Sequence, residues 1–147
     1  MTLEIERKFL CTLTREEAIR LSFTSRSIES IYLENTPTSS TRVVKDIHDD
    51  GQVICKWTEK RSLDPANLLA RNEIEHVMPI KVFDSINSKV YPTVTKHRYL
   101  ININDSIWEI DFFDDYDFVI AELEFTSIKE ADEFVNFPEW IGLEVTN

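Results

Sequence analysis

Acidic and basic residues recur two positions apart along much of this chain. Glu4-x-Glu6-x-Lys8, Arg71-x-Glu73-x-Glu75, Lys96-x-Arg98, Glu109-x-Asp111 and Glu122-x-Glu124 carry charge at alternate positions, with Ile5, Ile74, Ile110 and Leu123 between them. In a β-strand this spacing sends charged side chains to one face and apolar ones to the other. Arg42 and Lys56 fit the same charged face. A single such pair describes an ordinary solvated sheet surface. The set says more, because Glu4/Glu6, Glu73/Glu75 and Glu122/Glu124 concentrate like charges that repel unless cations or a divalent metal offset them. Hard oxygen donors without a Cys/His set favour Mg²⁺, Mn²⁺ or Ca²⁺ over structural zinc.

On this face eight acids stand against the six bases Lys8, Arg42, Lys56, Arg71, Lys96 and Arg98, which leaves −2. Two divalent cations would turn that to about +2 and make a locally cationic cavity suited to a polyphosphate. The chain as a whole is acidic, with 16 Lys+Arg against 27 Asp+Glu and a net charge of −11, which excludes an obvious nucleic-acid binder. With only Gly51 and Gly142 there is no glycine-rich phosphate loop, so side chains must do any phosphate binding. Cys11 and Cys55 lie far apart and read as reduced core thiols.

These side chains need a scaffold that aims them at one another. The 147 residues are expected to form one domain, 1–147, with no internal repeat or linker. No apolar stretch approaches the roughly 20 residues of a membrane span. The first residues carry acids where a signal peptide would carry cations, so a cytoplasmic location without a membrane partner is expected. Period-two alternation predicts strands near residues 2–11, 26–35, 39–48, 51–59, 68–77, 94–103, 106–113 and 117–126. Asp49-Asp50-Gly51 and Asn102-Ile103-Asn104-Asp105 read as hairpin turns, so neighbours are expected to be antiparallel. Capping boxes predict helices after Thr14 and Ser127, each with a Glu three residues on, and a third helix is expected from Pro79 to about Lys89, with Val82, Phe83 and Ile86 on one side. The expected fold is mainly β with added helices. A closed or nearly closed barrel would gather the charged faces into a lumen and leave the apolar faces for the helices.

The order of these residues resembles a known family. Glu4-Ile5-Glu6-Arg7-Lys8-Phe9-Leu10 is similar to the N-terminal Glu-x-Glu-x-Lys motif of the CYTH superfamily, the triphosphate tunnel metalloenzymes, in its bacterial triphosphatase-like form. Tyr32-Leu33, Arg42-Val43, Lys56, Arg71-x-Glu73-x-Glu75, Lys96-x-Arg98-Tyr99, Trp108-Glu109-Ile110-Asp111-x-Phe113, Ala121-Glu122-x-Glu124-Phe125 and Pro138-x-Trp140-x-Gly142-x-Glu144-Val145-Thr146 follow in family order. The resemblance implies an eight-stranded antiparallel closed β-barrel, a tunnel with flanking helices, that binds a triphosphate and one or two Mg²⁺ or Mn²⁺ ions. It implies that Lys8, Arg42, Lys56, Lys96 and Arg98 hold phosphate oxygens, with Arg71 a weaker member of that set. It makes Glu4, Glu6, Glu75, Asp111, Glu122 and Glu124 metal ligands or orienters of metal-bound water, and Glu73 a tunnel carboxylate. Tyr32 is implied to orient Lys8 beside the nucleophile. Carboxylates around Lys8 would raise its pKa and oppose a role as base.

Three positions depart from the family. Arg42 is followed by Val43-Val44, so the next cation, Lys45, falls one place late and points to the opposite face unless a bulge restores it. Ile54 stands where the family often has Thr, and the sequence ends at Asn147, where relatives commonly continue. The implied activity is metal-dependent hydrolysis of a small-molecule triphosphate, inorganic triphosphate first, then thiamine or nucleoside triphosphates. A class IV type adenylyl cyclase and a noncatalytic polyphosphate- or nucleotide-binding module are the rivals. No role is expected for His48, His76 and His97, which share no ligand spacing. Asp114-Asp115-Tyr116-Asp117 reads as an acidic turn, and Trp57, Trp108 and Trp140 read as packing residues, with Trp140, beside Pro138 and Gly142, expected to help close the barrel end.

Overall fold

The computed structural model describes residues 2–64, 67–86 and 88–146. Nine strands form one antiparallel sheet: β1 (Thr2–Cys11), β2 (Thr24–Thr36), β3 (Ser39–His48), β4 (Val53–Asp64), β5 (Asn67–Met78), β6 (Thr93–Ile103), β7 (Ser106–Phe113), β8 (Val119–Phe125) and β9 (Ile141–Glu144). The order is β5-β4-β3-β2-β6-β7-β8-β1-β9, and an additional β1–β5 pairing closes the first eight strands into a barrel. One edge of β1 is shared: Thr2–Ile5 pairs with β5, while Phe9 and Cys11 pair with β9. The expected eight-stranded barrel is present, and β9 is an extra strand laid against its seam.

The hairpins follow from local sequence. Gly51 has φ +89° in the β3–β4 turn, a conformation favoured only for glycine, and Asn104 and Asp105, with φ 49° and 67°, form the two-residue β6–β7 turn. Three short helices sit outside the barrel: α1 (Arg15–Leu21), α2 (Ile80–Ser85) and α3 (Ile128–Glu133). At α1 the capping box is complete, Thr14 Oγ1 accepting from Glu17 N and Glu17 accepting from Thr14 N. At α3 only half of the expected box forms. Ser127 accepts from Glu130 N, but the Glu130 carboxylate turns to the backbone N–H and hydroxyl of Thr126. The third helix is shorter than expected: Pro79 is its N-cap rather than a first-turn residue, it ends at Ser85, Phe83 is buried, and Val82 faces outward.

The core lies behind the barrel wall, not inside the lumen. One apolar cluster joins the outward residues of β1, β6, β7 and β8, among them Ile5, Phe9, Ile101, Trp108, Ile110 and Leu123, to Ala18 of α1 and Ala131 of α3. Trp108 is fully buried, with Phe9, Phe134 and Trp140 edge-on around it at ring-centroid distances of 5.9, 6.1 and 5.6 Å. Truncating such a side chain to Ala typically costs about 3–5 kcal/mol. Trp140 therefore packs on the outside of the wall instead of closing a barrel end. A second cluster, Ile31, Val43, Cys55 and Phe83, lies under α2. Among the described residues, no helix is long and apolar enough to cross a membrane.

Candidate functional site

With their apolar partners drawn outward, the alternate residues of all eight barrel strands face inward. They line a cavity of about 1030 Å³ that contains Glu4, Glu6, Lys8, Arg42, Lys56, Glu73, Glu75, Lys96, Arg98, Glu109, Glu122 and Glu124. A second cavity of about 550 Å³ lies under the β2–β3 hairpin and is lined by Glu6, Lys8, Tyr32, Arg42, Lys60 and Arg71 among others, so the two share a wall of charged residues. β3 pairs with β2 and β4 without a register break from Arg42 to Ile47, so no bulge turns Lys45 inward. Lys45 lies outside, its ammonium 6.0 Å from the centre of the Phe83 ring, and Val44 takes the lumen position.

On one side of the lumen three carboxylates meet. Glu4, Glu6 and Glu124 each offer an oxygen within 4.8 Å of the others. Like charges this close repel, and cations hold part of the group together: Arg71 Nη2 donates to Glu4 Oε1 at 2.9 Å and Glu6 Oε1 at 2.8 Å, while Lys60 Nζ donates to both Glu4 oxygens at 3.0 Å. Burial opposes ionisation of Glu4, but Lys60 and Arg71 outweigh it and lower its pKa. Among the described residues no such cation lies in hydrogen-bond reach of Glu124; burial and the neighbouring Glu4 and Glu6 raise its pKa. Partial burial and the neighbouring Glu4 push Glu73 up to about 7 even though Lys60 lies 3.5 Å away. Three convergent hard oxygens in a cluster of excess negative charge fit a divalent cation of the Mg²⁺/Mn²⁺ type.

In a second group the cations are locked by acids. Asp111 is fully buried and accepts from Lys96 Nζ at 2.7 Å and from Arg98 Nε and Nη2 at 2.7 and 2.8 Å. Arg98 also donates to Glu109 and, at 3.4 Å, to Glu122. Burial pushes Glu109 up to about 7, with Glu122 and Asp111 beside it, despite the Arg98 contact. Burial also opposes ionisation of Glu122, yet Arg98, Lys8 and Lys96 hold it well below the usual carboxylate range. Lys8 lies 3.5 Å from Glu6 and 3.7 Å from Glu122. Burial favours loss of its proton, but those two carboxylates prevail and raise its pKa.

All the site residues expected from sequence except Arg71 and Asp111 line the larger cavity in company with one another, and those two adjoin it: Arg71 lines the second cavity, which Tyr32 also lines, and Asp111 lies behind Lys96 and Arg98. Their partners differ from expectation in three places. Glu75 pairs with Lys56 at 3.4 Å, apart from the three-carboxylate group. Asp111 holds two cations. The Tyr32 hydroxyl accepts from Arg42 Nη1 at 3.2 Å rather than from Lys8; burial opposes its ionisation, and Arg42 reverses that and lowers its pKa. Lys60, Arg26 and Asp46 also face the lumen and were not among the expected residues. Lys60 continues the Lys56-x-Thr58 phase by one step, a signal that needs only a longer β4 than residues 51–59.

No protein-family profile matches the sequence, and no curated protein matches it either. Solved structures do. The inorganic triphosphatase NE1496 is 25% identical, with a TM-score of 0.60 over 99% of this chain and 88% of that one. The PH1012 protein from Pyrococcus horikoshii OT3 is 21% identical, with a TM-score of 0.61 over 88% and 83%. An adenylate cyclase-like protein of Bacillus halodurans is 19% identical, with a TM-score of 0.56 over 90% and 86%. The last two carry the fold alone. Together with a closed antiparallel barrel whose inner face carries the Glu4-x-Glu6-x-Lys8 series and its successors, this likeness shows that the chain shares the fold of the inorganic triphosphatase NE1496, in agreement with the resemblance to the CYTH superfamily.

Proposed function

We propose that the chain hydrolyses the terminal phosphoanhydride of a triphosphate with a divalent metal, Mg²⁺ or Mn²⁺, inorganic triphosphate being the minimal substrate. The observation that carries this reading is the convergence of alternate charged side chains from eight strands on one lumen. A bulk-exposed sheet face would screen such charges, whereas an enclosed one lets them act on a polyanion at short range. The 25% identical NE1496, an inorganic triphosphatase, supports the same choice.

Glu4, Glu6 and Glu124 would hold the metal, which supplies charge neutralisation at the phosphate oxygens and a more acidic bound water. Lys8, Arg42, Lys56, Lys96 and Arg98 bind phosphate oxygens as cations. Asp111 holds Lys96 and Arg98 in place, Tyr32 buttresses Arg42, and Arg71 keeps Glu4 and Glu6 at their spacing. Glu75 and Glu122 set the positions of Lys56 and Lys8. Water attacks the terminal phosphorus, the bridging P–O bond breaks, and phosphate and diphosphate leave. Little covalent help is needed, so orientation and charge supply most of the rate.

The test is a panel of inorganic, thiamine and nucleoside triphosphates with Mg²⁺ or Mn²⁺, scored for phosphate and for cyclic nucleotide. Metal-dependent phosphate release that Glu6→Gln abolishes is the expected result. Absence of release from every substrate rejects hydrolysis, and cyclic nucleotide in place of phosphate assigns the barrel to a cyclase.

A further inference from the structure

Lys60 lies between the carboxylate group and the second cavity, and its side chain is 11% exposed. Its ammonium donates to both oxygens of Glu4 at 3.0 Å and lies 3.5 Å from Glu73, its register partner on β5. Arg71 Nη2 touches only the Oε1 atoms of Glu4 and Glu6, so Lys60 is the cation that closes Glu4 Oε2. Of Glu4, Glu6 and Glu124, Glu4 is the one whose two oxygens are both held by cations among the described residues. A carboxylate that accepts charged hydrogen bonds offers less charge to a metal, and an ammonium and a divalent ion on one carboxylate repel at short range. Lys60 and the metal therefore compete for Glu4.

The displaced ammonium has a destination. Lys60 lines both cavities, and the second gathers Lys8, Arg42, Lys60 and Arg71 against a single carboxylate, Glu6, together with hydroxyl residues of the β2–β3 hairpin. Such a lining suits phosphate oxygens far better than a metal. Lysine also suits an exchange, because its ammonium is a point charge on a flexible stem, whereas the fork of Arg71 is planar and rigid. We propose that Lys60 is an exchangeable cation: it holds the metal's place at Glu4 and passes to the oxygens of the bound triphosphate when a divalent ion takes that carboxylate. The inference rests on the triphosphate reading above.

The experiment is calorimetry on wild type, Lys60→Gln and Lys60→Arg, first with Mn²⁺ alone and then with a methylene-bridged, nonhydrolysable triphosphate titrated into Mn²⁺-saturated protein. Lys60→Gln should bind Mn²⁺ about tenfold more tightly than wild type and the analogue about tenfold more weakly. Lys60→Arg, which keeps the charge, should lie closer to wild type in both. A purely structural role would weaken both ligands in Lys60→Gln, and a plain phosphate contact would leave Mn²⁺ affinity unchanged. The dissociation constant is read on the folded protein, because an unfolded fraction lowers the stoichiometry alone. Unchanged or weaker Mn²⁺ binding in Lys60→Gln, or unchanged analogue binding, overturns the exchange while leaving the triphosphate reading intact. If none of the three proteins binds Mn²⁺ or the analogue, the hydrolase reading itself has failed, and the exchange falls with it.

Discussion

Arg7 donates to both carboxylate oxygens of Glu144, at 2.7 and 3.0 Å, and so clasps β9 onto β1. The same guanidinium donates to the carbonyls of Ala131 and Phe134 at 2.8 and 3.2 Å, which gives the end of α3 its partner. It also stacks over Phe9 and Phe137. Thr146, just beyond β9, accepts from the backbone N–H of Lys8 at 2.8 Å, so the clasp supports the strand that carries the lumen lysine. Arg7→Ala is expected to lower the unfolding free energy by about 2 kcal/mol in urea titrations, because charged hydrogen bonds to partly buried acceptors are lost.

The pair also sets a pH dependence. The hydrogen bond from Arg7 holds the Glu144 carboxyl below its ordinary value of 4.5, against the opposing effect of burial. Its contribution is therefore fully present above pH 4.5 and is lost as pH falls through the lowered native value. With a partly exposed carboxylate the effect is modest, about 1 kcal/mol or less. Wild type should exceed Glu144→Gln in stability at pH 7, and the two should converge in strong acid. A gap that persists unchanged into acid would show that the carboxylate charge contributes nothing.

Much of the lumen was legible because charge and period coincide. Glu4/Glu6/Lys8, Lys96/Arg98 and Glu122/Glu124 display the inward phase directly, and apolar residues fill the outward one. Arg26 and Asp46 were not legible, since their strands place Ile28 and Val44 in the same inward phase and so carry no run of charge. β9 escaped for a different reason: four residues, only one of them half-buried, are held by the distant Arg7, a contact no local period reports. The partner choices of Asp111 and Tyr32 depend on register between strands far apart in sequence, which alternation alone leaves open.

Metal affinity should follow the three-carboxylate group and not Glu75. Glu6→Gln and Glu124→Gln are each expected to weaken Mn²⁺ binding at least about tenfold by calorimetry, from the loss of a charged oxygen ligand. Glu75→Gln, paired with Lys56 outside that group, should change it by much less. Equal losses in all three variants would move the metal away from Glu4, Glu6 and Glu124.

Asp111 is the acid on which Lys96 and Arg98 depend. Removing its charge leaves two buried cations with fewer partners, and breaking a buried pair in this way typically costs about 3–5 kcal/mol. Asp111→Asn is expected to fall in that range in low salt and to regain part of the loss when triphosphate is added, because the ligand's anionic oxygens replace the missing carboxylate. A variant as stable as wild type without ligand would mean that Glu109 and Glu122 alone suffice to hold Arg98.

Lys8 is the residue at which two mechanisms diverge. Glu122 and Glu6 outweigh the effect of burial and keep it protonated, so the geometry favours a phosphate-binding cation over a general base. Arginine retains the charge but not a removable proton. If Lys8 serves as a cation, Lys8→Arg should keep activity within about tenfold of wild type, while Lys8→Gln should lose about a hundredfold or more in kcat/KM, a difference of at least about 1.4 kcal/mol. If it serves as a base, both substitutions should fail alike. Steady-state rates on inorganic triphosphate decide between them, and equal loss in the two variants would return the proton-accepting role to Lys8.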